Sequence, residues 1–200
     1  MNKYFLWAVA IAALCSSCET EDEAFATQTP DNYREKQTIV QQAKSVETND
    51  YQMYQSILSS FVYNQDETYT KNLSRFEQHV NQRIAYGDET VPYEQLDLRQ
   101  VAFLATAGTA YIEHFNYSAT AKKMIYAVLY QQYNEETAKS TLEPEEYRLV
   151  QTMAVLHNDN KGIGDDDNFN DRRTIAFAYG AQYGFTQAVL YAGAIELMNR

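Results

Sequence analysis

The chain has 200 residues but only three prolines, seven glycines and two cysteines. Scarce proline and glycine leave few forced turns, which disfavours a loop-rich chain or a sandwich of many short strands. Both cysteines, Cys15 and Cys18, stand near the start. Beyond them the chain has no disulfide, no thiol nucleophile and no cysteine metal ligand, so packing alone must hold the fold. Positive charge is also short: 16 Lys and Arg against 27 Asp and Glu give a net charge of -11. That field opposes a polyanion, so a nucleic-acid partner is set aside. No HExxH, no Glu with His three residues on, no GxSxG elbow and no P-loop occurs. His79, His114 and His157 fall on three separate expected helices and read as ordinary surface or hydrogen-bonded histidines. No enzyme assignment follows from any motif.

The first residues are of another kind. Met1, Asn2 and Lys3 make a short basic start, and Tyr4 to Leu14 is an uncharged apolar stretch of eleven. Eleven residues are too few to span a bilayer as a helix but suit the core of a signal peptide. Ser16 and Ser17 precede Cys18, and Glu19, Thr20, Glu21, Asp22 and Glu23 follow it. This LCSSC stretch resembles the lipobox of bacterial lipoproteins, with Cys15 at the place where leucine is most usual. The resemblance implies cleavage after residue 17 and a lipid on Cys18. The acidic run resembles the export signal of Bacteroidota surface lipoproteins, which implies an outer-membrane anchor facing the cell surface. Physically, four acids in five residues belong in a solvated tether, because burial would cost their hydration. The expected division is a signal peptide over 1–17, a tether over 18–32 and a helical domain over 33–200. Loss of Lys3 with the signal peptide would make the net charge -12.

After the tether the pattern is helical almost throughout, and it predicts an all-α bundle of six or seven helices. A first helix is expected from Asp31 to about Lys44. A second runs from about Asp50 to Asn64, with Met53, Tyr54, Ile57, Leu58, Phe61 and Val62 on one face. A third starts near Thr68 and stops at Gly87, its beat set by Leu73, Phe76, Val80 and Ile84. A fourth spans about Tyr93 to Phe115. A fifth begins at the N-cap Ser118 and reaches about Tyr133. A sixth begins around Pro144 and reaches about His157. The last runs from about Asp171 to Met198, and Ala176, Gly180, Gly184, Ala188 and Ala192 recur along it every four residues. That spacing predicts a stripe of missing side chains against which another backbone packs, the fourth helix being the natural partner. A bulky residue at Gly184 would then overpack. Thr174 to Ile195 carries no formal charge over 22 residues, yet its Gln and Thr content favours a buried central helix over a membrane span.

Two groups stand out as candidate sites. Asp159, Asp165, Asp166, Asp167 and Asp171 crowd the loop before the last helix. Oxygen-rich loops of this kind bind calcium, although the EF-hand register fails here. The alternative is a solvated turn whose acids face a helix N-terminus or pair with Arg172 and Arg173. Seventeen tyrosines are the second oddity, and Tyr126, Tyr130 and Tyr133 are expected on one helix face, as are Tyr179 and Tyr183. Tyrosine can stack on a glycan, anchor a protein interface, or fill a helix seam with its hydroxyl wet. The function expected is a non-catalytic lipoprotein that binds a protein partner or assembles an envelope complex, with no cofactor beyond a possible calcium ion. A glycan-binding lipoprotein and an immunity or inhibitor protein are the alternatives.

Overall fold

The computed structural model describes residues 49–85, 90–159 and 167–200. The leader, Cys18, the tether, the helix expected over 31–44, Gly87, Asp165 and Asp166 lie outside the described residues. What is described is all-α, as the periodicity predicts. Its elements are α1 (Asn49–Ser60), α2 (Tyr69–Ile84), α3 (Leu98–Leu104), a 3-10 helix (Thr109–His114), α4 (Ala119–Leu129), α5 (Glu135–Thr141), α6 (Pro144–Asn158), α7 (Asp167–Ala181) and α8 (Phe185–Leu197).

Local chemistry sets most of the starts. Each N-cap side-chain oxygen takes up a backbone N–H left free by the first helical turn. Thr68 accepts from Lys71 N, Asp97 from Arg99 N, Ser118 from Ala121 N and Asn134 from Thr137 N. Pro144 opens α6 at a position where its missing N–H costs nothing. On α1 the buried side chains are Tyr51, Tyr54, Ile57 and Leu58, with Phe61 just beyond its end, whereas Met53 and Val62 face solvent. Tyr51 therefore takes the place expected for Met53.

Two long helices expected from sequence are each broken in two. The stretch from Tyr93 to Phe115 becomes α3 and the 3-10 helix. Asn81 of α2 holds the chain before α3, its amide oxygen accepting from Glu94 N at 2.7 Å and its amide nitrogen donating to Glu94 O at 2.8 Å. Helix can begin only after that strap, at the Asp97 cap. It ends at Leu104, where Arg172 of α7 donates to the carbonyl of Ala105 at 3.0 Å and Gly108 is extended.

The C-terminal stretch is buried as expected, but it is a hairpin and not one rod. Gly184 sits at φ 130°, ψ 170°, a conformation open essentially to glycine alone. There α7 stops and α8 folds back along it. Gly180 permits the close return: a Cβ on it would lie within 2.6 Å of Ala188 N and against the Gln187 carbonyl. The four-residue stripe is thus not continuous, since Gly184 makes the turn and has open space around it. The partner is also different. Ala102 is exposed and a Cβ on Gly108 would meet nothing within 4 Å, while α8 lies on α2 and Gly193 admits the ring of Phe76.

The α7–α8 hairpin forms the centre. Every residue of α8 from Gln187 to Leu197 is buried. Helix α2 covers the α8 side and α6 the α7 side, with α4 and α1 on α6. Among the described residues no helix is long and apolar enough to cross a membrane.

Candidate functional site

Several of the described tyrosines are accounted for by packing. Tyr69 donates to the carbonyl of Ala194 at 3.0 Å, and Tyr117 donates to that of Ala178 at 2.7 Å. Tyr147 reaches Glu135, Tyr93 reaches Glu77 and Tyr51 reaches Asp159. In each case the hydroxyl finds an acceptor, and all but the exposed Tyr93 set the ring in a seam. Burial, the leading cause, pushes the phenols of Tyr51, Tyr69, Tyr117 and Tyr133 well above the ordinary value of 10.0.

The expected face of Tyr126, Tyr130 and Tyr133 is only partly formed. Tyr126 and Tyr130 stack with planes 6° apart and centroids 6.2 Å apart, and Tyr130 is exposed. Tyr133 is buried and off the helix. Helix α4 ends at Leu129, and Gln131 adopts φ 56°, a left-handed C-terminal residue that turns the chain inward.

A different aromatic group reaches the surface. Phe103 of α3 packs edge-on to Tyr111 of the 3-10 helix at 4.8 Å. Tyr111 lies beside Tyr179 of α7 at 6.3 Å, and Tyr179 meets Tyr183 at 5.5 Å. The two ends are open, Phe103 at 47% and Tyr183 at 63% exposure. The middle is rooted in the core, because Tyr179 also packs on Tyr191 and Phe115. Burial first, then the neighbouring Tyr183 hydroxyl, raises the Tyr179 phenol. This ridge joins three elements. Sequence spacing links Tyr179 to Tyr183 but hides Phe103 and Tyr111, because the break at 105–108 that brings them together falls in a stretch of helical pattern.

Of the five aspartates, Asp159, Asp167 and Asp171 fall within the described residues. Asp159 accepts from Gln55 Nε2 at 2.7 Å and from the Tyr51 hydroxyl. Asp171 meets His157 Nε2 at 2.9 Å. Both carboxylates are therefore engaged by protein donors. Among the described residues no group of three or more His, Cys, Asp or Glu side chains is placed to hold a metal. Among the described residues Arg173 pairs with no loop carboxylate. It bonds Glu196 of α8 at 2.9 Å and the carbonyl of Leu156 at 2.6 Å, with both side chains nearly buried. Arg172 bonds backbone carbonyls of Asn168 and Ala105.

The histidines sit apart. His79 shares hydrogen bonds with Ser60 and the carbonyl of Ile57, and His114 is exposed beside the Tyr111 ring. His157 is buried, and its Nδ1 has no hydrogen-bond partner among the described residues. Asp171 lines a cleft of about 420 Å³ with Thr106, Thr109 and Arg172, but His157 does not reach it. No family model, no curated protein and no solved structure matches this chain.

Proposed function

We propose that the chain is a lipid-anchored envelope protein that docks a protein partner through the Phe103–Tyr111–Tyr179–Tyr183 ridge. The observation that carries the reading is a row of aromatic rings fixed at its middle and open at both ends. Rigid aromatic side chains lose little entropy on binding and anchor interfaces disproportionately. The outer pairs meet at steep angles, 71° between Phe103 and Tyr111 and 60° between Tyr179 and Tyr183, while Tyr111 and Tyr179 lie 29° apart. Such a relief suits a shaped protein surface better than the flat face of a sugar. The glycan alternative would instead use the parallel pair Tyr126 and Tyr130. Cys18 carries the lipid in this reading, on an outer membrane and facing the cell surface, with the acids after it as a tether.

Two experiments test it. Replacing Cys18 with alanine should abolish palmitate labelling and release the protein from membranes; retained labelling would end the lipoprotein reading. A photo-reactive benzoylphenylalanine in place of Tyr183 or Phe103, in native membranes, should give one discrete adduct. The same group in place of Val62, exposed but outside the ridge, should give none. Phe103→Ser should reduce the adduct formed from position 183 about tenfold. Equal adducts from all three positions, or none, would remove the docking surface.

A further inference from the structure

Behind the corner that presents Tyr183 lies a second cleft of about 480 Å³. Its lining is mixed: Leu149 of α6 and Phe177, Phe185 and Ala188 of the hairpin supply an apolar part, and Asn116, Tyr117 and Gln182 a polar one. Its rim carries Asp50, Glu145 and Glu146 against one cation, Arg148. The three carboxylates are not equivalent. Asp50 is paired with Arg148 at 3.1 Å. Glu146 accepts from Ser118 N and Ser118 Oγ, each at 2.8 Å, and so ties the start of α4 to α6. Glu145 makes no hydrogen bond or ion pair with any described residue and is exposed.

We propose that this cleft binds an alkylammonium group, with its aliphatic stem on the Leu149–Phe177–Phe185 floor and its charge at Glu145. The volume falls within the range of small-ligand sites. An apolar floor under a carboxylate rim matches a group that is greasy along its length and positive at its tip. A bare divalent ion would gain nothing from the floor, and an anion would meet an excess of negative charge. The net charge of -11 favours the approach of a cation from a distance. The proposal deepens the docking reading by naming partner chemistry. Gln182 and Gly184 line the cleft while Tyr183 between them ends the ridge, and Gln182 accepts from Asn116 N at 2.7 Å across the corner. A protein seated on the ridge would present a lysine here. A free diamine has the same chemistry.

The test uses the full chain and three probes in an NMR titration: Nα-acetyl-lysine amide, 1,5-diaminopentane and Nα-acetyl-norleucine amide, which keeps the stem without the charge. The lysine amide should shift the backbone signals of Glu145, Leu149 and Gln182 saturably, and the norleucine amide should do so at least about threefold more weakly. Glu145→Gln should weaken the lysine amide roughly threefold, the scale of one exposed charge pair. Added salt near 0.5 M should weaken it as well. Tyr183→Ala should leave the titration unchanged, so loss of the ridge and loss of the cleft are read separately. Binding of the diamine without the lysine amide would keep the site but assign it to a free amine and not to a docked protein. Equal shifts from the norleucine amide, no shift from any probe, or no effect of Glu145→Gln would each overturn the proposal.

Discussion

Gly193 on α8 shows how little room the centre leaves. A Cβ there would stand 2.5 Å from Phe76 Cε1 and nearer still to Cζ. Phe76 cannot withdraw freely, because it is fully buried and packs edge-on to Phe61 at 5.2 Å. Gly193→Ala should therefore cost about 1–3 kcal/mol through overpacking, despite better helix propensity, and chemical denaturation measures it. An unchanged midpoint would mean that the Phe76 ring yields. The residue lay outside the small-residue spacing read from sequence, since only the approach of α2 gives it a role. Arg173 and Glu196 make the same point with charge. Their 2.9 Å pair spans α7 and α8 with almost no solvent. Glu196→Ala should strand the guanidinium and cost about 3–5 kcal/mol. Arg173 was legible as a charge near an acidic loop, but its true partner is 23 residues on, and only the hairpin brings it close.

At the scale of elements, Gly184 separates two explanations of one glycine. In a straight helix, a larger side chain there would overpack and the penalty would grow with size. In the hairpin, the cost comes from φ 130°, and nothing lies within 4 Å of a Cβ. Gly184→Ala and Gly184→Leu should therefore destabilise by similar amounts, about 1–3 kcal/mol. A leucine penalty several times that of alanine would restore the packing explanation. The same logic covers the other broken helix. Local propensity over residues 93–115 is helical, and no proline or charge run in VAFLATAGTAYI announces a break. The break comes from partners distant in sequence, Asn81 gripping Glu94 and Arg172 capping Ala105. Where a boundary depends on a near neighbour, as at Thr68, Ser118 and Pro144, the sequence displays it.

The whole molecule should respond to alkali more than its composition suggests. Tyr51, Tyr69, Tyr117 and Tyr133 hold raised phenol pKa values, chiefly because burial disfavours the phenolate. A group whose folded pKa is raised contributes stability that is fully present below its unfolded pKa, here about 10, and is lost as pH climbs toward the folded value. These phenols should thus add no pH dependence to the melting temperature between pH 7 and about 9, and it should fall steeply above about 10. Absorbance at 295 nm, followed with circular dichroism, should show one set of tyrosines ionising only as helix is lost. Ionisation of every tyrosine with the helices intact would contradict the seam role.

The sequence by itself determined the all-α class, the helix starts with local caps, the lack of any thiol beyond Cys18, and the burial of the C-terminal stretch. These depend on composition and on contacts within a few residues, which a linear pattern records. Tertiary structure decided the rest: the hairpin at Gly184, the insertion of Phe76 at Gly193, the Arg173–Glu196 pair, and the aromatic ridge beside a carboxylate-rimmed cleft. Each joins residues from separate elements, and the chain must fold back on itself before any of them exists.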